Sequence, residues 1–408
     1  MGGAARILGA MSYERPFEGL TVLDASQGVA GPYCAMLLAQ QGADVVKLEP
    51  PEGDWGRALG TRWGPAQDMT TLALSVNRGK RSLALDLRKP EGAAICRRLA
   101  AQADVFIESS RPGVAQRLGI GWEALRAENP RLLYVSVSGF GQQGPYIGRA
   151  LTDTVAQAFS GVMSINPGND GVPHKIGLYI VDLVTSLYAF QAVSSALYAR
   201  RDQREGRHLD VSLIQSAAAL QSGKIAEHAM ERGKPRLLNA PAGSYRTKDG
   251  WIAITLVRED HFVRMCEALG RPELPKDERY LDFTRRADNV AALIETLQAT
   301  LLERTTADWL GVLLAKDVLC NAIYDYADWL ADEHVLAVGA APVLEQPGVG
   351  GIPTPLIPGV APLAPGELRA LAPHLGQHTA EILARLGYAE KDLAALEQAG
   401  VIKRGAAA

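Results

Sequence analysis

One carboxylate stands out as a group able to do chemistry. Asp182 closes the apolar run Ile176-Gly177-Leu178-Tyr179-Ile180-Val181 and opens a long helical pattern. Apolar residues recur at Leu183, Leu187, Phe190, Val193 and Leu197, close to a 3.6-residue period, up to the basic turn of Arg200, Arg201 and Arg204 before Gly206. At the head of a helix an aspartate has two compatible readings. It can cap orphan backbone N–H groups. It can also be an anion favoured by those donors and by the helix dipole, and an ionised, partly desolvated carboxylate is a nucleophile toward an acyl group. Other nucleophiles fare worse. There is no G-x-S-x-G elbow, and no cysteine has a neighbouring histidine to activate it. The seven histidines include one H-x-x-x-H spacing, His374 and His378, without the glutamate of H-E-x-x-H, and no metal site is expected.

A second chemistry is anion binding. The loop Asn77-Arg78-Gly79-Lys80-Arg81-Ser82 is basic, with Arg88, Lys89 and Arg117 further on. It reads either as a solvated charged loop or as a site where guanidinium and ammonium groups meet the phosphates of an adenosine ligand. Gly28, Gly31, Gly139, Gly141 and Gly144 mark places where backbone can approach a ligand or turn tightly. Backbone N–H groups of the 139–144 turn, or of the helix behind Asp182, are candidates to hold an oxyanion.

These residues need a scaffold, and the pattern predicts an open α/β layer fold. Thr21 to Ala25 is a strand, Pro32 starts a helix that stops at Gly42, and Asp44 to Leu48 is a second strand ending at Glu49. This β–α–β unit implies a parallel sheet. It imitates a dinucleotide fingerprint, but the loop lacks the first glycine of G-x-G-x-x-G, so a tight βα turn is the better reading. Further strands are expected at Ser82–Leu87, Asp104–Glu108, Arg131–Ser138 and His208–Leu213, with helices at Pro90–Ala101 and Thr152–Met163. The expected organisation is a large Rossmann-like domain over 12–232 and a smaller α+β domain over 240–335. Residues 336–408 form a Pro-rich return segment and two C-terminal helices that rejoin the large domain. Seven of the 23 prolines fall between Pro342 and Pro365, which predicts an extended connection there.

Bulk properties narrow the function classes. The 408 residues are 47% hydrophobic and 21% charged, enough for a sizeable core. A net charge of −3 gives no footprint for nucleic acid. Cys34, Cys96, Cys266 and Cys320 lie far apart, which argues for a reducing, cytoplasmic setting. No uninterrupted run of about 18 apolar residues is present, so no membrane span is expected. Met1 to Met11 reads as a leader without the apolar core of a signal peptide.

Longer stretches resemble a known family, the family III CoA-transferases of the formyl-CoA:oxalate and carnitine CoA-transferase type. The resemblance rests on P-F-E-G-L-T-V-L-D (Pro16 to Asp24), A-G-P (Ala30 to Pro32), G-A-D-V-V-K-L-E (Gly42 to Glu49) and N-R-G-K-R-S-L-A-L-D-L (Asn77 to Leu87). It continues in A-D-V-F-I-E (Ala103 to Glu108), R-P-G-V-A-Q-R-L-G (Arg111 to Gly119) and N-P-R-L-L-Y-V-S-V-S-G-F-G (Asn129 to Gly141). The D-x-x-x-Q-A-x-S-G stretch from Asp153, G-R-H-L-D-V-S-L (Gly206 to Leu213) and L-G-Q-H-T (Leu375 to Thr379) complete it.

The resemblance implies the family fold and places the catalytic aspartate on Asp182. It implies CoA contacts at Gln27, Gly28, Val29 and Ala30, at Leu85 and Arg88, and at Ser109, Arg117 and Leu118. CoA enters as substrate, so no resident cofactor is implied. The partners implied are an acyl-CoA donor, a small carboxylate acceptor and a second copy, in an interlocked homodimer whose subunits thread each other. The family often uses succinyl-CoA as donor, and small dicarboxylates are the expected acids, with Arg149, Lys175 or Tyr179 as candidates to meet a second carboxylate. Two departures stand out. The region matching a glycine-rich flap, Asn239 to Tyr245, holds one glycine, and Val181 precedes Asp182 where the formyl-CoA enzyme has glycine. Two rivals remain. An α-methylacyl-CoA racemase shares the fold but needs an acid–base pair, with a histidine where this chain has Thr152. The other is a CoA-binding protein without transfer activity.

Overall fold

The computed structural model describes residues 13–65, 67–167, 171–233, 237 and 239–405. It divides into two compact units, one of residues up to Ser222 together with Gly339 onward, the other Gly223–Val338. The leader Met1–Met11 lies outside the described residues, as does part of the 233–243 linker.

The larger unit is built on one sheet. Its parallel strands are β1 (Thr21–Ala25), β2 (Asp44–Glu49), β3 (Lys80–Leu85), β4 (Val105–Glu108), β5 (Leu133–Ser138) and β6 (Arg207–Ser212). The spatial order is β3-β2-β1-β4-β5-β6. Such an order reverses direction between β1 and β4, so the loops after those two strands part and leave a crevice at their carboxyl ends. Side chains alternate as the pleat requires. Val22, Val105 and Ile107 enter one core, and Leu23 and Phe106 enter the other. Each fully buried Leu or Phe contributes about 1.5–3 kcal/mol relative to exposure.

Helices cover both faces. Ala30–Gln40 is buried at all but one position, and it packs against the 20-residue helix Ile180–Ala199. That second helix has a mean hydropathy of 1.4, long and apolar enough by those measures alone to cross a membrane. Instead, its Val181, Ala189 and Val193 pack into the core of the sheet.

Among the hydrophilic side chains buried inside the strands are Asp24, Lys47, Glu49, Lys80 and Ser82. Each is paired. Lys80 donates to Asp24 at 2.7 Å, Lys47 to the Asp54 carboxylate at 2.9 Å, and Ser82 to Glu49 at 2.8 Å. Unpaired, such charges would be too costly to bury.

Several boundaries differ from the sequence reading. Strand β3 begins at Lys80, not Ser82, because Lys80 is held below the sheet by Asp24 and by the Pro32 carbonyl. The expected helix over 152–163 ends at Phe159, where Gly161 turns with φ +88° and a 3-10 turn follows. The Pro-rich segment is not simply extended. Later strands make this clear: β7 (Gly243–Arg246), β8 (Trp251–Thr255) and β9 (Leu319–Ala322) belong to the second unit, while β10 (Val343–Gln346) and β11 (Gly350–Pro353) form an antiparallel hairpin inside that segment. Finally β12 (Ile402–Lys403) runs antiparallel along the free edge of β3, so the chain's end completes the sheet.

The second unit is a small α+β body. Its sheet β7-β8-β9 is antiparallel, with helices Glu259–Ala268, Val290–Leu301 and Thr306–Ala315. Its core gathers Tyr245, Ile252, Phe262, Leu297 and Trp309.

Candidate active site

The crevice predicted by the strand order is present as a cleft of about 530 Å³. Its floor comes from the loop after β1, through Gln27, Val29 and Ala30, and from the loop after β4, through Ser109. The two loops are tied together, since Gln27 N–H donates to Ser109 Oγ at 2.9 Å across 82 residues of sequence. Asp182 and Thr152 complete the wall.

The first loop is held from below by ionic groups. Asp24 accepts from the Ser26 N–H at 3.1 Å and from its hydroxyl. Lys47 donates to the Ser26 carbonyl, and both Asp54 carboxylate oxygens accept from Gly28 N–H at 3.0 and 3.1 Å. Gly28 has φ +80°, a conformation that a residue with a Cβ rarely adopts. Burial alone would raise the Asp24 carboxyl, but Lys47 and Lys80 outweigh it and hold the group below the usual carboxylate range.

Asp182 is the third residue of its helix, not its cap. The cap is supplied from elsewhere. Asp153 Oδ1 accepts from the backbone N–H of Val181 at 2.8 Å and of Asp182 at 3.2 Å. Asp153 is itself steadied by Gln157, whose amide donates to Oδ2 at 2.6 Å. The helix-end donors are therefore spent on Asp153. The Asp182 carboxyl is pushed up to about 7, first by burial and then by the neighbouring Asp153 charge. The expectation that the helix terminus would keep this acid fully ionised is overturned, because desolvation outweighs a dipole whose donors already have an acceptor. A carboxyl near 7 is half ionised at neutral pH and more basic than an ordinary aspartate, which suits a nucleophile.

The remaining sequence candidates divide. Gln27, Val29, Ala30, Ser109 and Asp182 share the cleft. Gly28 lies beneath the Trp55 indole, which also lines it. Leu85, Arg88, Arg117 and Leu118 do not line it. Leu85 is 1% exposed within the core, which leaves its side chain no access to a ligand, and Leu118 packs against the same cluster. Arg88 is on the surface, ion-paired with Asp86 and Glu52. Arg117 is exposed at the end of the short helix Val114–Arg117.

Two cations of the basic loop, Lys80 and Arg81, are ion-paired within the fold, which corrects the reading of it as a solvated charged loop. Lys80 is fully buried on Asp24, and burial lowers its pKa to about 8. Arg78 is buried and donates to the Pro355 carbonyl, and Arg81 pairs with Asp44 and Glu381. Likewise, two amides of the 139–144 turn are occupied: Gly141 N–H donates to Ser138 Oγ at 3.1 Å and Gln142 N–H to Asp210 at 3.0 Å. Burial pushes the thiols of Cys34, Cys96 and Cys266 up, the last two to about 12, so none is a thiolate nucleophile.

Sequence reasoning missed the capping role of Asp153 and the part played by Asp54 and Trp55. The Asp153–Gln157 spacing of i, i+4 was a usable signal, because those side chains meet on one helix face. Nothing local announced that Asp54 reaches back to Gly28.

Comparison with known proteins agrees with this architecture. Residues 17–379 match CoA-transferase family III. The chain is 35% identical over 405 residues to a succinyl-CoA–D-citramalate CoA-transferase of Chloroflexus aurantiacus, covering 95% of this chain and 98% of that one. It is 34% identical over 406 residues to the human succinyl-CoA:glutarate CoA-transferase, covering 96% and 91% respectively. The crystal structure of a CAIB/BAIF family protein from Brucella suis superposes with a TM-score of 0.79 at 33% identity, covering 91% of this chain and all of that one (100%). The chain belongs to CoA-transferase family III and is an enzyme of that class.

Proposed function

We propose that this enzyme transfers CoA from succinyl-CoA to a small dicarboxylic acid through acylation of Asp182. The observation that carries the reading is the placement of the Asp182 carboxyl in the wall of the crevice between the β1 and β4 loops. Relatives named for succinyl-CoA as donor and for D-citramalate or glutarate as acid support the choice of substrates.

The steps balance as follows. An ionised Asp182 oxygen attacks the thioester carbonyl, the C–S bond breaks, and CoA leaves as thiolate, giving a mixed anhydride. The thiolate attacks the aspartyl carbonyl and succinate departs, leaving an aspartyl-CoA thioester. The acceptor carboxylate attacks that thioester and releases the thiolate again. The thiolate then takes the acyl group of the acceptor and frees Asp182. One thioester is broken and one is made, and the nucleophile divides the exchange into accessible steps.

For the acid, Arg149 is a candidate. Its guanidinium stacks on Tyr146 at 4.6 Å and Phe140 at 5.5 Å from the ring centroids. Gly139 and Leu151, which flank that segment in sequence, line the cleft. The working unit is proposed to be an interlocked homodimer in a reducing, cytoplasmic setting. Exposed Leu178, Tyr179, Leu187 and Tyr198 along and beside the Asp182 helix support a second copy that covers them.

The test is chemical. Wild-type enzyme incubated with succinyl-CoA and hydroxylamine should acquire a hydroxamate on Asp182, read by peptide mass spectrometry. Asp182→Ala and Asp182→Asn should form none and should not transfer CoA to glutarate. Undiminished transfer by either variant would remove Asp182 from the mechanism.

A further inference from the structure

The backbone around Trp55 is closely bonded, while its side chain is left half uncovered. It opens the short 3-10 helix Trp55–Ala58, whose cap is Asp54. Asp54 is buried and accepts from Gly56 N–H at 2.9 Å, from Gly28 N–H, and from Lys47 Nζ at 2.9 Å. On the other side, Gly56 O accepts from Thr70 Oγ1 at 2.7 Å, and Arg57 makes two bonds to Glu49 at 2.6 and 2.9 Å. The indole lies directly on Gly28, where an added Cβ would stand 2.2 Å from Trp55 Cζ2. Yet Trp55 is 50% exposed, and the exposed part lines the same cleft as Asp182 and Ser109. A large apolar face in the same cleft as a nucleophile is preorganised for a ligand to cover.

Chemistry supplies a reason. An aspartyl anhydride or thioester is open to attack by water unless the site is kept dry. We propose that the Trp55 indole is the wall that keeps water from the acylated Asp182, with Asp54 as its positioning residue. This rests on Asp182 being the acylated group. In the competing reaction, water oxygen bonds to the aspartyl carbonyl of the CoA thioester and the C–S bond breaks. Asp182 returns as a carboxylate, one water proton goes to sulfur and the other to solvent.

The experiment compares two rates in the full-length enzyme. One is thiol release from succinyl-CoA without acceptor, and the other is CoA transfer to glutarate. Trp55→Ala should raise the ratio of release to transfer at least about tenfold, while Trp55→Phe, which keeps a flat apolar ring, stays near wild type. Asp54→Asn should raise the ratio less than Trp55→Ala does. If Trp55→Ala does not fold by circular dichroism, Trp55→Leu is read in its place. An unchanged ratio in a folded Trp55 variant, with Asp182→Ala inactive in both assays, overturns the role of Trp55 alone. Transfer that persists in Asp182→Ala overturns both assignments.

Discussion

Asp153 caps the helix that carries Asp182, and it does so from a different helix. One carboxylate oxygen takes the N–H groups of Val181 and Asp182, so the base that fixes the nucleophile's backbone is also the nearest negative charge to its side chain. The two functions separate by substitution. Asp153→Asn keeps an oxygen for the two amides but removes the charge, so the Asp182 carboxyl should titrate lower. The acid limb of the kcat/KM profile is then expected to move to lower pH while thermal stability changes little. Asp153→Ala removes the cap as well, and should lose about 0.5–2 kcal/mol of stability and a further part of kcat. An unmoved acid limb in Asp153→Asn would show that burial alone raises Asp182.

The raised carboxyl also makes a prediction about stability. Asp182 titrates near 7 in the folded chain against an ordinary value of 3.8. The folded state therefore binds its proton more tightly than the unfolded state does. The stability this confers is complete below the unfolded value and is lost as pH rises through about 7. Above that, the ionised acid is a destabilising charge, by no more than about 4 kcal/mol. Asp182→Asn should melt higher than wild type at pH 8 and no higher at pH 4, measured by calorimetry. Equal melting temperatures at pH 8 would show that the ionised carboxylate is well solvated in the folded protein.

What could be read from the sequence follows the range of the forces involved. Strands β1, β2, β4 and β5 were legible because their apolar runs are dictated by burial on both faces of a parallel sheet. Asp182 stood out because it belongs to a local pattern of apolar run and helix, whereas the local pattern of the β1 loop showed only a tight turn, and its residues were named through the family resemblance. The basic loop was misread because Lys80 looks solvated until Asp24, 56 residues away, is placed beside it. The Asp182 cap was misassigned for the same reason, since the true acceptor lies 29 residues upstream. The hairpin β10–β11 was hidden by its prolines, which sit at its ends and turn, where no ladder N–H is needed.

The ion cluster beneath the cleft should be fragile to removal of single charges. Asp24 serves Lys80 at 2.7 Å and lies 3.9 Å from Lys47, and all three are fully buried. Asp24→Ala leaves a buried ammonium without its main partner, and a loss of about 3–5 kcal/mol is expected in denaturant unfolding. The paired change Asp24→Leu with Lys80→Met removes the orphaned charge together with its partner and should recover most of that loss. A single variant as stable as wild type would mean that water or another carboxylate reaches Lys80.

Arg149 offers the sharpest test of which acids this enzyme reads. Its guanidinium faces two aromatic rings and has no carboxylate partner among the described residues, so its charge is available to an anion. Arg149 is exposed; once a bound acid covers it, a guanidinium–carboxylate contact contributes about 1.5–3 kcal/mol. Replacing Arg149 with Ala should therefore raise KM for glutarate by about tenfold or more, since that interaction binds ground state and transition state alike. For butyrate, which has the chain but not the second carboxylate, KM should hardly move. Arg149→Lys keeps the charge but not the flat stacking surface and should fall between the two. Equal losses for both acids would place Arg149 in the architecture of the loop, and the distal carboxylate would then have to be met by another residue.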